Sequence, residues 1–322
     1  MGERRPEDQK LTPEEAFSTL ADPIRIQILQ ALGTEGRPLS FTELYERTDA
    51  DNSAQFNYHL EKVVGSFIEK TDSGYTLRQP GRRVVEAVLS GAVTAEPVLD
   101  RRPIEWECHF CGQSPIELEY REEQVGVYCT ACEGMYGGVA ESEAGVPPAE
   151  RNRLHYMHLP PAGVVDRSPE EVYLTASRWT NAETVTAGFG ICPRCSARLD
   201  QSVVVCENHE PGEALCPDCD RRYATLYRTT CTNCVYDAEL IMVNKLLTNL
   251  DLRAFLIEHG MNPLYPQSAT FGRTFIGHEE DVRSVDPLEV RFTFTVDDDA
   301  ITLTVDDSLD VVDVQRRTGA DS

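Results

Sequence analysis

Apolar residues first recur at helical spacing in "TPEEAFSTLADPIRIQILQALG", where Ile24, Ile28, Leu29 and Leu32 share one face. Thr12 is placed as an N-cap and Pro13 as the first helical residue, so a helix starts there. "SFTELYERT" predicts a short helix capped by Ser40, with Glu43 completing a capping box. A third helix follows in "DNSAQFNYHLEKVVGSF", burying Phe56, Leu60, Val63 and Val64. The period then drops to two in "IEKTDSGYTLR", a hairpin turning at Asp72-Ser73-Gly74. "PGRRVVEAVLSGAV" returns to an amphipathic helix. Three or four helices, a hairpin and a closing helix predict a winged helix-turn-helix over residues 12–95.

Further along, "IELEYREEQVGVY" alternates like a hairpin. "SPEEVYLTASRWTNAETVTAG" carries a Ser168 cap, Pro169 at the first position and Glu171 three residues after the cap, and reads as a helix. "AELIMVNKLLTNLDLRAFLIEHG" predicts one or two helices ending at Gly260. "LEVRFTFTV" and "ITLTVDD" predict a terminal hairpin with Asp-rich turns, and the tail "RRTGADS" reads as frayed. Asp297, Asp298 and Asp299 lack the spacing of a calcium loop and read as surface decoration.

The chain has eleven cysteines, all between residues 108 and 234. Ten form C-x-x-C pairs: Cys108/Cys111, Cys129/Cys132, Cys192/Cys195, Cys216/Cys219 and Cys231/Cys234. Cys206 is left over, and His209 stands where its partner would be. With His209 the ligands number twelve, enough for three tetrahedral zinc sites. In a reducing compartment such spacing points to metal rather than disulfides. The first four cysteines flank the predicted hairpin and so form a zinc ribbon; His109, inside the first knuckle, reads as a non-ligand.

The second cluster contains a repeat, C-x-x-C-x10-C-x-x-H followed by C-x-x-C-x11-C-x-x-C. The repeat favours two sequential ribbons, and a cross-brace joining the first pair to the third and the second to the fourth is the competing arrangement. Four protein ligands per site leave no position for substrate, so the zinc ions are expected to be structural. A thiol redox or metal sensor is the sharper alternative. His155 and His158 find no third ligand nearby and read as packing or exposed residues rather than ligands.

These features divide an α+β chain into a winged helix at 12–95, a zinc ribbon at 103–140 and a Pro- and Gly-rich linker at 141–168. Residues 169–260 hold a helix, two further small zinc units and following helices, and 261–316 a terminal hairpin region.

Charge changes the picture in one respect. The chain carries 54 acidic against 30 basic residues, and only Lys10, Lys62, Lys70 and Lys245 are lysines. An acidic, lysine-poor surface resembles those of proteins from salt-accumulating halophiles, where molar salt screens self-repulsion, and an acidic protein from a mesophile is the alternative. Residues 1–95 carry 11 basic and 15 acidic residues and are the least repulsive to a polyanion. No run of 18 apolar residues occurs and "MGERRPEDQK" does not read as a signal peptide, so a cytoplasmic protein is expected.

"LADPIRIQILQAL" followed by "QFNYHLEKVVGSFI" resembles the ArsR family of transcription regulators, the His59-Leu60 pair matching the end of that family's recognition helix. The resemblance covers about a quarter of the chain, and the zinc-rich remainder resembles haloarchaeal ArsR-like proteins. It implies a homodimer that binds double-stranded DNA. Ser53, Gln55, Asn57 and Tyr58 would then face the major groove, with Tyr58, Lys62 and wing residue Arg78 on phosphates or sugars. Two departures stand out. The family's metal-sensing cysteines are missing from "PLSFTELYERT", and the domain is slightly acidic, which weakens the usual salt-dependent attraction to DNA. A regulator is the leading expectation and a zinc-ribbon adaptor that binds protein the alternative. No nucleophile elbow, P-loop or open metal site is present, so no enzymatic activity is expected.

Overall fold

A computed structural model describes residues 11–136, 152–212, 214–264 and 269–319. The chain divides into two compact units, residues 1–95 and 96–322.

In the first unit, α1 (Pro13–Leu20) and α2 (Pro23–Glu35) are separate helices where the sequence suggested one. The reason is Asp22: its backbone is extended, its carboxylate accepts the Ile24 N–H, and Pro23 starts a new helix. α3 (Phe41–Tyr45) and α4 (Ser53–Val63) follow, then β1 (Ile68–Thr71), β2 (Gly74–Leu77) and α5 (Gln79–Leu89). The expected capping boxes at Thr12 and Ser40 are formed. Ile28, Leu29, Leu44, Phe56, Leu60 and Val63 are buried in one core, and Val64 is partly buried against it. The "LADPIR" stretch closes on α4: the buried His59 Nδ1 lies 3.3 Å from Asp22 Oδ1 and 3.4 Å from Arg25 Nε.

Leu39 exchanges two backbone hydrogen bonds with Tyr75, a one-residue bridge beside the two-stranded β1–β2 hairpin. This contact requires Gly74. Its φ is +128°, and a Cβ there would sit 2.5 Å from the Leu39 carbonyl oxygen. Gly74→Ala should therefore destabilise the unit by about 2–4 kcal/mol. A urea titration of wild type and variant measures it; a change under about 0.5 kcal/mol would contradict the close approach.

The second unit begins with a four-stranded antiparallel meander: β3 (Leu99–Ile104), β4 (Ile116–Arg121), β5 (Gln124–Tyr128) and β6 (Arg153–His158). Glu122 and Glu123, both at positive φ, form the two-residue turn between β4 and β5. The stretch expected to be linker, 141–168, thus contains a strand. β6 pairs along β5 from Gln124↔His158 to Tyr128↔Arg153, its Leu154 and Met157 buried. Six strand residues were masked by the Pro and Gly around them. The earlier part of that stretch, through residue 151, lies outside the described residues.

α6 (Pro169–Gly188), with the expected Ser168 capping box, lays Val172, Tyr173 and Ala176 on this sheet. β7 (Leu199–Val205), β8 (Thr225–Cys231) and β9 (Asp237–Ile241) form a second antiparallel sheet. β9 corrects another expectation, since the start of "AELIMVNKLL" is strand rather than helix. A short apolar run carries no period of its own, and pairing with β8 decides it. α7 (Val243–Leu246), α8 (Leu250–Glu258) and α9 (Ala269–Ile276) come next.

The chain closes with β10 (Glu279–Val285), β11 (Leu288–Val296), β12 (Asp299–Asp306) and β13 (Val311–Arg317) in one antiparallel meander. The expected terminal hairpin is its middle pair, turning at Asp297-Asp298. "RR" of the tail is not frayed: Arg316 and Arg317 belong to β13, and Arg316 reaches Glu258 and the Asp251 carbonyl at 3.1 and 2.9 Å. Phe292, Phe294, Ile301 and Leu303 share a core with Phe255, Phe275 and Tyr227. Among the described residues no helix is long and apolar enough to cross a membrane.

Candidate metal centres

A C-x-x-C pair becomes a ligand pair when the turn around it points both sulfurs the same way and aims N–H groups at them. Four turns of this chain share one design. The N–H of the first cysteine donates to the carbonyl five residues on: Cys108 to Gln113, Cys192 to Ala197, Cys216 to Arg221 and Cys231 to Tyr236. In three of them the residue four positions on, Gly112, Ser196 or Asp220, has positive φ and returns an N–H to the cysteine carbonyl. The first sulfur in turn accepts an N–H from within its own turn, as from Phe110 to Cys108 at 3.4 Å and from Arg194 to Cys192 at 3.4 Å.

These turns bring twelve side chains into three groups. They are Cys108, Cys111, Cys129 and Cys132; Cys192, Cys195, Cys231 and Cys234; and Cys206, His209, Cys216 and Cys219, with all ligand atoms of a group within 4.8 Å of one another. The sulfurs are 3.7 Å apart for Cys108–Cys132, 3.6 Å for Cys111–Cys129, 3.6 Å for Cys192–Cys234 and 3.5 Å for Cys195–Cys231. A disulfide would need about 2.05 Å. A tetrahedron with metal–sulfur bonds of about 2.3 Å has edges of about 3.8 Å, close to what is seen. Each group can therefore hold a metal ion, and its size is compatible with zinc.

The first group forms as the spacing suggested, at the ends of β3 and β5 around the β4–β5 hairpin. The other two are paired neither sequentially nor as a cross-brace. They are nested: the outer knuckles, 192–195 and 231–234, share one group, and the inner pairs, 206–209 and 216–219, share the other. Strand register dictates this. β7 and β8 pair antiparallel from Leu199↔Cys231 to Val205↔Thr225. Residues just before β7 therefore meet those at the end of β8, while those beyond the other end of the hairpin meet each other. The sequence repeat is real but does not mark a folding unit.

His209 lies in the inner group. Its Nε2 is 3.2 Å from the Arg222 carbonyl oxygen and its Nδ1 3.5 Å from Cys219 Sγ. A carbonyl only accepts, so Nε2 carries the proton and the Nδ1 lone pair is left for a metal. Burial also lowers the affinity of the ring for a second proton. The sulfurs are tuned unevenly. The Ala197 N–H holds the Cys195 thiol down at about 6, and the Glu210 N–H holds Cys216 at about 7. Burial, then the neighbouring Cys219 sulfur, pushes Cys206 up to about 11. Thiolates packed this closely repel one another, and a divalent cation offsets that repulsion.

His109 points away from the sulfurs, as expected, and stacks on His155 with ring centroids 5.6 Å apart. Burial pushes His109 down to about 4 and His155 to about 3. His158 instead lies 3.0 Å from Glu123. The contact between His109 and His155 was not legible from spacing, because it depends on how β6 pairs with β5.

In the first unit Ser53, Asn57, Tyr58 and Lys62 are exposed on α4, opposite Phe56, His59, Leu60 and Val63. Lys62 Nζ lies 5.4 Å from the centre of the Tyr58 ring. Gln55 is half-buried and accepts the Asp51 N–H at 2.8 Å, while Asn57 donates to Glu61 at 2.8 Å. Arg78 is half-buried at the cap of α5. Glu61, exposed on this same face, adds a negative charge that the sequence reading left out.

Residues 13–88 match a family model described as "Domain of unknown function (DUF7347)". A second model, "Domain of unknown function (DUF7351)", matches residues 105–311 and takes in all three cysteine groups. Neither a search of the curated proteins nor one of the solved structures returns a match. Since the second model spans more than half of the chain, including every candidate metal ligand, the protein belongs to the DUF7351 family.

Proposed function

We propose that this protein is a sequence-specific, dimeric DNA-binding transcription regulator of ArsR type, in which a winged helix reads DNA. Three structural zinc ions per chain, held in ribbon-like modules, brace the second unit. The observation that carries the reading is α4. It follows α3 after a seven-residue connection, 46–52, precedes the β1–β2 hairpin, and presents Ser53, Asn57, Tyr58 and Lys62 to solvent opposite its buried face. Amide side chains suit adenine edges, and Tyr58 with Lys62 suits a phosphate or sugar. Gln55 and Asn57 would exchange their present internal hydrogen bonds for base contacts.

A second reading, an adaptor that binds protein, draws on Glu61 and on the acidic balance of residues 1–95. Selection of bound fragments from genomic DNA in molar KCl separates the two. The regulator enriches a shared, roughly palindromic sequence that Gln55→Ala/Asn57→Ala/Tyr58→Ala loses, with affinity down at least about 100-fold. No enrichment by folded, metal-loaded protein rejects DNA reading and favours the adaptor.

A further inference from the structure

Between the β3–β6 sheet, α6, β9, α7 and α9 of the second unit lies a cavity of about 120 Å³. Its walls are unusually aromatic. Trp106 and Tyr173 pack at 5.0 Å between ring centroids, and the His109–His155 stack adds a second flat surface. Gly272 of α9 also faces it. A Cβ at that position would lie 2.0 Å from His109 Nδ1, so the glycine is what admits the imidazole.

Three buried polar atoms of lining residues have no hydrogen-bond partner among the described residues: Trp106 Nε1, His109 Nδ1 and Asn244 Oδ1. Folded proteins rarely leave such groups unmatched, and here several belong to one cavity. Trp106 Nε1–H can only donate and Asn244 Oδ1 can only accept. The one carboxylate in the lining, Glu239, is already paired with Arg228, 2.5 Å from its Nη2. The walls therefore offer flat apolar surface, a donor at Trp106, an acceptor at Asn244 and the His109 Nδ1, which donates or accepts according to its tautomer, with no uncompensated carboxylate among the described lining residues. In size the cavity compares with one of about 150 Å³ that takes up a benzene molecule.

We propose that this cavity is a binding site for a small, neutral, planar heteroaromatic molecule of one or two rings. Its ring lies against the aromatic walls, a ring nitrogen or carbonyl accepts from Trp106, and an N–H donates to Asn244. The proposal stands apart from the DNA reading, since it concerns binding alone.

Calorimetric titration of the metal-loaded full chain tests it with three probes. Benzimidazole has both a ring N–H and a ring acceptor, indene has nearly the same shape with neither, and benzoate is an anion. Benzimidazole should bind at least about tenfold tighter than indene. Trp106→Phe and Asn244→Leu should each weaken benzimidazole by about tenfold while leaving indene unchanged. Gly272→Ala, whose Cβ would collide with the His109 ring and displace that wall, should weaken both. Metal content and circular dichroism check that each variant is folded. Asn244 lies ten residues beyond the last candidate ligand, Cys234, and outside every knuckle turn, so its arm decides the matter even if Trp106→Phe disturbs the neighbouring knuckle. Equal affinity for benzimidazole and indene, a preference for benzoate, or no benzimidazole binding up to its solubility limit would each overturn the proposal.

Discussion

Cys192→Ser and Cys234→Ser should each remove the same metal ion, leaving two per chain. The double variant should then still hold two, whereas Cys192→Ser/Cys206→Ser should hold one. The expectation follows from the nested groups, in which Cys192 and Cys234 share a site and Cys206 belongs to another. Sequential pairing reverses it, because Cys192 and Cys206 would share an ion there. Combined with Cys206→Ser, His209→Ala should still leave two ions, whereas combined with Cys195→Ser it should leave one. Structural zinc sites bind with about 10–16 kcal/mol of apparent free energy near neutral pH, comparable to the whole stability of a domain. Losing a ligand is therefore expected to empty or destabilise its site rather than shift it slightly. Elemental analysis after gel filtration counts the ions. Two ions retained by Cys192→Ser/Cys206→Ser would refute the nesting.

Chelation should unfold the second unit and spare the first. Cys108 and Cys129 lie in the same core as Ile116, Leu118 and Val127, while Cys192 and Cys231 pack with Leu199 and Ala187. Removing a bound ion would leave close-packed thiols in the middle of these cores. Residues 1–95 contain no cysteine and have their own core around Ile28, Leu44 and Phe56. Hydrogen exchange read by mass spectrometry should show protection over 108–132 and 192–234 falling by about 1,000-fold or more. Protection over 24–63 should stay within about threefold. Equal loss in both units would mean that the first does not fold independently.

Local chemistry was legible in the sequence wherever the interaction was local. Thr12, Ser40 and Ser168 cap their helices as their types and spacings require, and the arithmetic that left Cys206 alone identified His209. Readings failed where strand pairing decided. Spacing could not distinguish nested from sequential groups, because the register of β7 on β8 is a long-range choice and the repeat pointed the other way. β6 and β9 were missed for the same reason, each being a short segment that becomes a strand by pairing with an earlier one. The aromatic cavity was equally hidden: His109 meets Gly272 only when α9 returns to the first knuckle. On α4 the buried face was readable from apolar spacing, but the internal bonds of Gln55 and Asn57 were not.

Nesting also fixes an order of events during synthesis. The inner ligands, from Cys206 to Cys219, leave the ribosome together and close a short loop. Cys192 and Cys195 emerge before them but must wait for Cys234. At about 5–20 residues per second, that wait lasts about 2–8 s. Throughout it two thiols stand without their partner knuckle. The newborn chain, rather than the finished protein, is thus expected to be the form more sensitive to oxidants and to metal scarcity. Damage at that stage would be expected to leave a half-loaded product, its inner site filled and its outer one lost.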